Sequence, residues 1–147
     1  MGILECDKVF ELVVPDGWTV TGIPGHSYDL AAPAGMDLAV TISVYERSAA
    51  RYRDRSAESL VRDLAESAGA EDADSLRVIA PAQKGQERAF VHFAADGHRV
   101  FAAFLLFGDY AVLATAISGG SETDWAEGER LVASIAPLTK KRGFFKR

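Results

Sequence analysis

Three histidines, His26, His92 and His98, are the residues of this chain best suited to bind a metal or to transfer a proton. Asp96-Gly97 is typical of a two-residue hairpin turn, and pairing across it places His92 and His98 on opposite faces of a sheet. These two histidines therefore cannot share one metal ion. The Cys-x-x-Cys, His-x-x-x-His and His-Glu-x-x-His spacings of metal sites are also absent from the sequence. We expect structural histidines and no metal, cofactor or catalytic residue.

Two further places have residue types suited to anion binding or nucleophilic attack. The stretch from Ser118 to Ser121 precedes a predicted helix, where backbone N–H groups can hold an anion. Glu122 and Asp124 fall in the first turn of that helix and would repel a phosphate. Cys6 has no histidine near it in the sequence that would activate its thiol. We expect a connection capped by Ser121 and an unreactive cysteine.

A basic connection follows the first long predicted strand and contains four arginines and two tyrosines: Arg47, Arg51, Arg53, Arg55, Tyr45 and Tyr52. Guanidinium groups in such a run suit a carboxylate-rich partner or a nucleic-acid backbone. The alternative is a solvated loop, partly paired with the acidic residues of the same segment, Glu46, Asp54 and Glu58.

The last eight residues, 140–147, form a basic tail with five cations, no acid and the adjacent pair Phe144 and Phe145. This composition suits a membrane surface or an acidic groove. The alternative is a solubilising terminus outside the core. We expect the tail to dock on an acidic surface of its own body, of a second copy or of a partner. That attraction should weaken as salt rises.

The remainder of the chain is acidic. The formal net charge is −5 for the whole sequence, and it is about −10 for the body without the five tail cations. Such a body disfavours nucleic acid as a partner, because binding there depends on neutralising phosphates. It favours basic protein partners.

Length and composition indicate one globular domain over residues 1–139. The chain has 147 residues, 48% of them hydrophobic and 25% charged, which are ordinary values for such a domain. Its longest apolar run, 100–107, is far shorter than the ~18 residues that cross a bilayer, so we expect no stable membrane insertion. No basic segment followed by an apolar one opens the sequence. A lone cysteine fits a reducing compartment, so we expect the cytoplasm.

Turn residues divide the chain into short apolar segments. Those that alternate, or that are rich in β-branched residues, predict strands over 9–14, 18–21, 27–32, 36–45, 76–80 and 88–95, with two more meeting at Gly108-Asp109. A helix is predicted over 56–68, capped by Ser56 and ended by Gly69. A second helix is predicted over 123–135, with Trp125, Gly128, Val132 and Ile135 on its inward stripe.

The two hairpin turns predict which residues share a face. They make Ala95 pair with His98, and Phe107 pair with Tyr110. One face then contains Phe90, His92, Phe101, Ala103, Leu105, Val112 and Ala114, and the other contains Val91, Phe93, His98, Val100, Phe104, Leu106, Leu113 and Ile117. Because both faces are apolar, both need a cover. The predicted fold class is therefore α+β, a three-layer α/β/α sandwich around a mainly antiparallel sheet with one helix on each face. Trp18 and Trp125 are both expected to be largely buried.

Residues near both ends of the domain carry a resemblance to a known fold. They are Phe10, Val14, Pro15, Gly17 and Trp18 at the start, and Ala133, Ser134 and Ile135 at the end. With this order of elements, residues 8–138 resemble the PsbP-like fold superfamily, which includes photosystem PsbP, the Ran-binding Mog proteins and bacterial DcrB-type proteins. The resemblance implies a module for binding or assembly, because these families are known mostly for protein contacts. Some DcrB-type members look like chaperones for secreted bacterial effectors.

We therefore expect a non-enzymatic protein-binding or assembly, chaperone-like module of the bacterial cytoplasm. Its partner would be another protein or a second copy, recognised through one sheet face or its rim. The candidate partner-binding residues are Arg47, Arg51, Arg53, Arg55, Phe144 and Phe145. The alternative is a small-ligand-binding or enzymatic domain with a pocket between sheet and helices. An exposed apolar patch or a symmetric dimer favours the first, and a closed cavity with several polar groups favours the second.

Overall fold

The structure is a computed structural model that describes residues 2–6, 10–23, 26–70, 77–79, 82–83, 86–95, 97–107, 109–119 and 122–137. In chain order, the described residues form β1 (Gly2–Cys6), β2 (Phe10–Val14), β3 (Thr19–Ile23), β4 (Ser27–Ala31), β5 (Leu38–Glu46), α1 (Ala57–Ser67), β6 (Arg77–Ile79), β7 (Ala82–Gln83), β8 (Gln86–Ala95), β9 (His98–Phe107), β10 (Tyr110–Ser118), α2 (Glu122–Ala133) and β11 (Ala136–Pro137). The predicted α+β class is confirmed.

Eight of these strands form one large sheet, in the order β3-β4-β5-β10-β9-β8-β6, with β7 also paired to β8. All of its pairs are antiparallel, as predicted. Both hairpin registers are confirmed, because Ala95 pairs with His98 and Phe107 pairs with Tyr110. His92 pairs with Phe101, so the two histidines do lie on opposite faces.

Local sequence signals account for the ends of α1. Ser56 is its N-cap, and the Ser56 hydroxyl accepts a hydrogen bond of 3.1 Å from the Ser59 N–H. Gly69 follows the helix with φ +76, a conformation that glycine adopts without strain. The Glu87 carboxylate of β8 accepts a hydrogen bond of 2.7 Å from the Ala57 N–H, and this bond fixes the start of the helix over β8.

Alternate residues of the strands enter two separate buried clusters. In β9, Phe101, Ala103 and Leu105 belong to the first cluster, and Val100, Ala102, Phe104 and Leu106 belong to the second. Because successive side chains of a strand point to opposite faces, the clusters lie on opposite sides of the sheet. The α2 side chains Trp125, Leu131 and Val132 belong to the first cluster, and the α1 side chains Leu60, Val61 and Ala65 belong to the second.

Helix α2 comes very close to the sheet at Gly128. A Cβ at this position would lie 2.7 Å from Leu38 Cδ1 and 3.2 Å from the Ala116 Cβ. The glycine therefore lets the helix backbone approach β5 and β10 more closely than any other residue would. The Asp124 carboxylate accepts a hydrogen bond of 3.1 Å from the Asp37 N–H, which joins the first turn of α2 to the start of β5.

A second, three-stranded sheet of order β1-β2-β11 was not predicted. Phe10 and Leu12 of β2 are buried in the same cluster as α2, so α2 and this small sheet cover that side together. The prediction of one helix on each face omitted this sheet, because β1 was not recognised as a strand and the two-residue β11 pairs with β2 from the other end of the domain. The predicted turn at Lys84-Gly85 lies outside the described residues, as do Asp96, Gly108 and Ser121.

The two tryptophans differ in burial. Trp125 is 5% exposed, as predicted. Trp18 packs against the same cluster but is only partly buried. Trp18 directly precedes β3, the last strand at that end of the sheet, so fewer neighbouring side chains surround it.

Candidate functional site

Only part of the sheet face beneath α1 is covered by that helix. The helix packs on β8, β9 and β6. A helix about 10 Å wide spans roughly two strands, which are about 4.8 Å apart. A cover was predicted for both apolar faces, and among the described residues α1 covers only part of this one. We call the β8–β9 part of this face the covered half and the part on β3, β4, β5 and β10 the open half.

The open half consists of three rows of side chains that cross four strands. The first row is Thr19, Ala31, Ala39 and Ile117; the second is Thr21, Asp29, Thr41 and Thr115; the third is Ile23, Ser27, Ser43 and Leu113. Each row continues under α1 into the covered half, as the pairing of Ile117 with Val100 shows. The two halves are therefore one continuous pleated surface.

Exposure changes sharply where the rows pass beneath α1. Ile117 is 42% exposed, whereas its neighbour Val100 is 8% exposed. Ile23, at the outer end of the third row, is 62% exposed, the highest value among the exposed large hydrophobic side chains of the described residues. The other side chains of the open half are exposed or half-buried. Folding thus leaves two isoleucine side chains of the open half in contact with water.

The chemistry of the open half is uniform. Threonine, alanine, serine, isoleucine and leucine occupy it, and Asp29 is its one charged residue. The Asp29 carboxylate accepts a hydrogen bond of 3.4 Å from the Thr41 hydroxyl on the neighbouring strand. In a chain that is 25% charged, about three of these twelve positions would be charged if the open half had the average composition, and one is.

An open groove lies along the border between the two halves. It has a volume of about 570 Å³, and its apolar lining comprises Tyr45, Tyr52, Leu60, Leu64, Phe104 and Leu113. The Tyr45 and Tyr52 rings lie 5.1 Å apart between centres. The polar rim consists of Arg51, Arg55, Asp63, Glu66 and Ser67. Such a groove can accept one apolar side chain with polar groups on either side of it.

Tyr52 is a groove residue whose pKa is shifted by its surroundings. Burial raises the pKa of Tyr52 above its ordinary value of 10.0, and the neighbouring Tyr45 raises this pKa further. Arg51 acts in the opposite direction; its Cζ lies 5.8 Å from the centre of the Tyr52 ring. The Tyr52 phenol is therefore neutral, and it is a hydrogen-bonding group at ordinary pH.

The four predicted arginines do not form one cluster. Arg51 and Arg55 border the groove, whereas Arg47 and Arg53 line a separate open cavity of about 660 Å³ next to Asp109 and Tyr110. The division arises because the connection folds back on itself in consecutive turns, with the Arg53 N–H bonded to the Ala49 carbonyl at 2.9 Å.

Two of these arginines stabilise the connection itself. Arg55 donates hydrogen bonds to the Ser59 hydroxyl at 3.1 Å and to the Asp63 carboxylate, with which it forms an ion pair on α1. Arg47 donates a 3.4 Å hydrogen bond to the carbonyl of Arg55. The ion pair of Arg55 is thus with Asp63, whereas Glu58, one of the predicted loop partners, pairs with Arg62. Arg51 and Arg53 are exposed and stay candidates for partner contact. Phe144 and Phe145 lie outside the described residues.

The histidines contribute no cluster of ligands. His92 contacts the rings of Trp125 and Phe101, with centres 6.0 and 6.4 Å away, and His26 and His98 are exposed. Within the described ranges, no three His, Cys, Asp or Glu residues come together in a way that could hold a metal ion. Within those same ranges, no helix is long and apolar enough to cross a membrane.

Sequence reasoning missed the open half, although its signal was present. In the predicted strand 36–45, Ala39, Thr41 and Ser43 alternate with the more apolar Leu38, Val40, Ile42 and Val44. Ser27, Asp29 and Ala31 show the same alternation in β4. What the pattern does not reveal is that these sets become one surface, because that depends on the strand order.

Comparison with known proteins supports the fold. Neither a family model nor a curated relative matches the chain. Among solved structures, the chain is similar to cyanobacterial PsbP (CyanoP) from Synechocystis sp. PCC 6803, with 14% sequence identity, a TM-score of 0.59 and coverage of 90% of this chain and 89% of that one. It is also similar to a protein of Bacteroides thetaiotaomicron VPI-5482, with 16% identity, a TM-score of 0.49 and coverage of 93% and 48%. The first similarity confirms the predicted PsbP-like fold, and it shows the fold alone.

Proposed function

We propose that this chain is a non-enzymatic protein-binding module of the assembly or chaperone-like kind, acting in the bacterial cytoplasm, and that the open half is its contact surface. The observation that carries the proposal is the open half itself: three rows of side chains across four strands with a single carboxylate. Few charges together with exposed apolar side chains, here Ile23 and Ile117, are typical of surfaces that bind another protein. The lone cysteine, which fits a reducing compartment, supports the location.

The chemistry of the open half suits contact more than reaction. Its hydroxyl and methyl groups offer shape and weak hydrogen bonding, and Asp29 is its one titratable group. Depletion of charge at the centre of a surface is typical of the buried core of protein interfaces. Arg51 of the groove and Arg53 of the neighbouring cavity are exposed and provide the charged rim that such interfaces have.

In this proposal the domain has three layers, and the large sheet is the middle one. α1 forms one outer layer, and α2 with the small sheet forms the other. The division of the buried side chains into two clusters supports this arrangement. A second protein on the open half would complete the cover that α1 begins.

The test is affinity capture from the native host with two matched variants. Thr41→Lys places a cation at the centre of the open half, and Ala126→Lys places the same charge on the exposed side of α2. A partner should be recovered with the unmodified protein and with Ala126→Lys, and at least about tenfold less with Thr41→Lys. The long charged side chain would obstruct the contact, and it would have to lose its water together with Asp29 beside it. Equal recovery with all three proteins would contradict the proposal.

The alternative, a small-ligand-binding or enzymatic domain, would use the groove. Its volume of about 570 Å³ lies within the range of small-molecule sites. The test is thermal unfolding with a library of small metabolites, comparing the unmodified protein with Ser67→Lys at the groove rim and with Ala126→Lys. A compound that stabilises the unmodified protein and Ala126→Lys, but not Ser67→Lys, would favour this alternative.

A further inference from the structure

The two edges of the large sheet differ in how well they suit pairing with another strand. β3 is an uninterrupted edge strand of five residues, Thr-Val-Thr-Gly-Ile, with no charge and no proline. At the other edge, β6 has only three residues and begins with Arg77. Natural sheets protect their edges with charges, prolines or very short strands. β6 shows these devices, and β3 does not.

Within the described part of the chain, β3 pairs with β4 and with no strand on its outer side. The backbone N–H and C=O groups on that outer side are therefore available to a new strand. Gly22 lies very close to β4, because a Cβ there would lie 2.3 Å from the Ser27 carbonyl oxygen and 2.8 Å from the Tyr28 Cα. The glycine therefore lets the pairing of β3 with β4 continue without a break from Thr19 to Ile23.

We infer that two copies of this chain pair through β3, antiparallel and about a twofold axis at Thr21, to form one continuous sheet. In this register, Thr21 faces Thr21 of the second copy, Thr19 faces Ile23, and Val20 faces Gly22. Threonine pairs and pairs of β-branched residues are favourable cross-strand neighbours. Ile23, which is 62% exposed in one copy, gains a neighbour in this pairing.

Charge favours a second copy as the occupant of this edge. The chain has a net charge of −5, so most surfaces of two copies repel each other. β3 is neutral along its whole length, and the nearest charged group on the same face is Asp29, which the Thr41 hydroxyl partly satisfies. Contact along β3 therefore avoids the repulsion that other contacts between copies would meet.

The pairing has a consequence for the proposed function, on which this step rests. A twofold axis perpendicular to the sheet places both open halves on the same side and both α1 helices at the outer borders. The two open halves then join into one trough of eight strands, about 34 Å wide at a strand spacing of about 4.8 Å. A trough of this width can accept a larger segment of a partner than either copy alone.

Cysteine cross-linking tests the register. In a Cys6→Ser background, Thr21→Cys should form a covalent dimer on mild oxidation, because opposite residues of an antiparallel pair have their Cβ atoms within about 5.5 Å. Thr41→Cys, exposed on the same face but two strands further in, should stay monomeric on reducing-agent-free gels. Cross-linking at position 41 and not at 21 would mean that two open halves meet face to face, which overturns the pairing through β3.

A second variant keeps the test decisive if Thr21→Cys folds poorly. The double variant Thr19→Cys, Ile23→Cys should cross-link in the proposed register, whereas each single variant should not. The unmodified protein should sediment at twice the monomer mass. A monomer at all concentrations up to about 100 µM would overturn the inference. Loss of partner capture with Thr41→Lys in such a monomer would still support the proposed function, so the two failures are distinguishable.

Discussion

The covered and open halves belong to one face of the same sheet, but side chains of the first are buried beneath α1 and those of the second are mostly exposed to solvent. In the covered half, Val91, Ala102 and Phe104 are at most 5% exposed beneath α1. In the open half, Thr41, which lies in the same row as Val91 and Ala102, and Ile117 of the first row are exposed to solvent. One helix of eleven residues covers about two of the strands. Within the described residues, β5 and β10 are covered only at the end where Tyr45, Ala111 and Leu113 pack against the α1 cluster.

The covered and open halves also differ in amino-acid composition. The covered half consists of alanine, valine, phenylalanine and leucine, and the open half of threonine, serine, alanine and a few larger apolar residues. A surface that merely faced water would also contain lysine and glutamate, because they solvate well and discourage association. The open half is thus intermediate between a core and an ordinary surface, as protein interfaces are.

The largest expected difference in stability is between two single variants that place a lysine in the same row, one in the covered half and one in the open half. Ala102 and Thr41 both pair with Thr115 in the second row, but Ala102 is fully buried. Ala102→Lys should prevent folding, since an unpaired buried charge costs several kcal/mol. Thr41→Lys should change the free energy of unfolding by less than about 0.5 kcal/mol. Circular dichroism and urea denaturation measure both, and similar losses would remove the distinction between the halves.

The opposite face provides the next test, because α2 and the small sheet cover it. Trp125 is 5% exposed and makes edge contacts with the Phe101 and His92 rings, both with centres 6.0 Å away. Trp125→Ala should lower the free energy of unfolding by roughly 3–5 kcal/mol. A loss below about 1 kcal/mol in urea denaturation would contradict the burial of this residue.

Gly128→Ala tests how closely α2 packs on the large sheet, because close packing reverses the sign of the expected change in stability. Helix propensity alone predicts that this change stabilises the protein by about 1 kcal/mol. The added Cβ would lie 2.7 Å from Leu38 Cδ1, so we expect a net loss of about 1–3 kcal/mol instead. Thermal and urea denaturation measure the change, and a stabilised variant would show that α2 does not pack closely on β5.

The smallest expected effect concerns Tyr52, at the border between the halves. Because burial raises the pKa of Tyr52 in the folded protein, the folded state retains the phenol proton more tightly than the unfolded chain does. Its contribution to stability is complete below pH 10 and is lost as the pH rises through the folded pKa. Tyr52→Phe should therefore lose less stability between pH 10 and 12 than the unmodified protein does. In absorbance at 295 nm, Tyr52→Phe should show one fewer phenol titrating above pH 10 than the unmodified protein does. If the phenol that the variant lacks titrates at or below pH 10, Tyr52 is not buried.

Much of the covered region was predictable from local patterns. Hairpin turns determined the register from Phe90 to Ala114, and the cap at Ser56 determined where α1 begins. The arginines were recognised as a basic connection, but their division between two cavities was not, because it depends on how consecutive turns fold. The open half was not predicted, since no single strand contains more than three of its residues.

The sequence by itself determined the class of fold, the alternation of each strand and the pairing across tight turns, because these depend on residues that are neighbours along the chain. Only the tertiary structure decided which half of the sheet face is covered. α1 is held over β8 by the bond between Glu87 and the Ala57 N–H, a contact between residues 30 positions apart. Among the described residues, most of β3, β4, β5 and β10 is left uncovered because a single helix is too narrow to reach them, and strand order makes their side chains one surface.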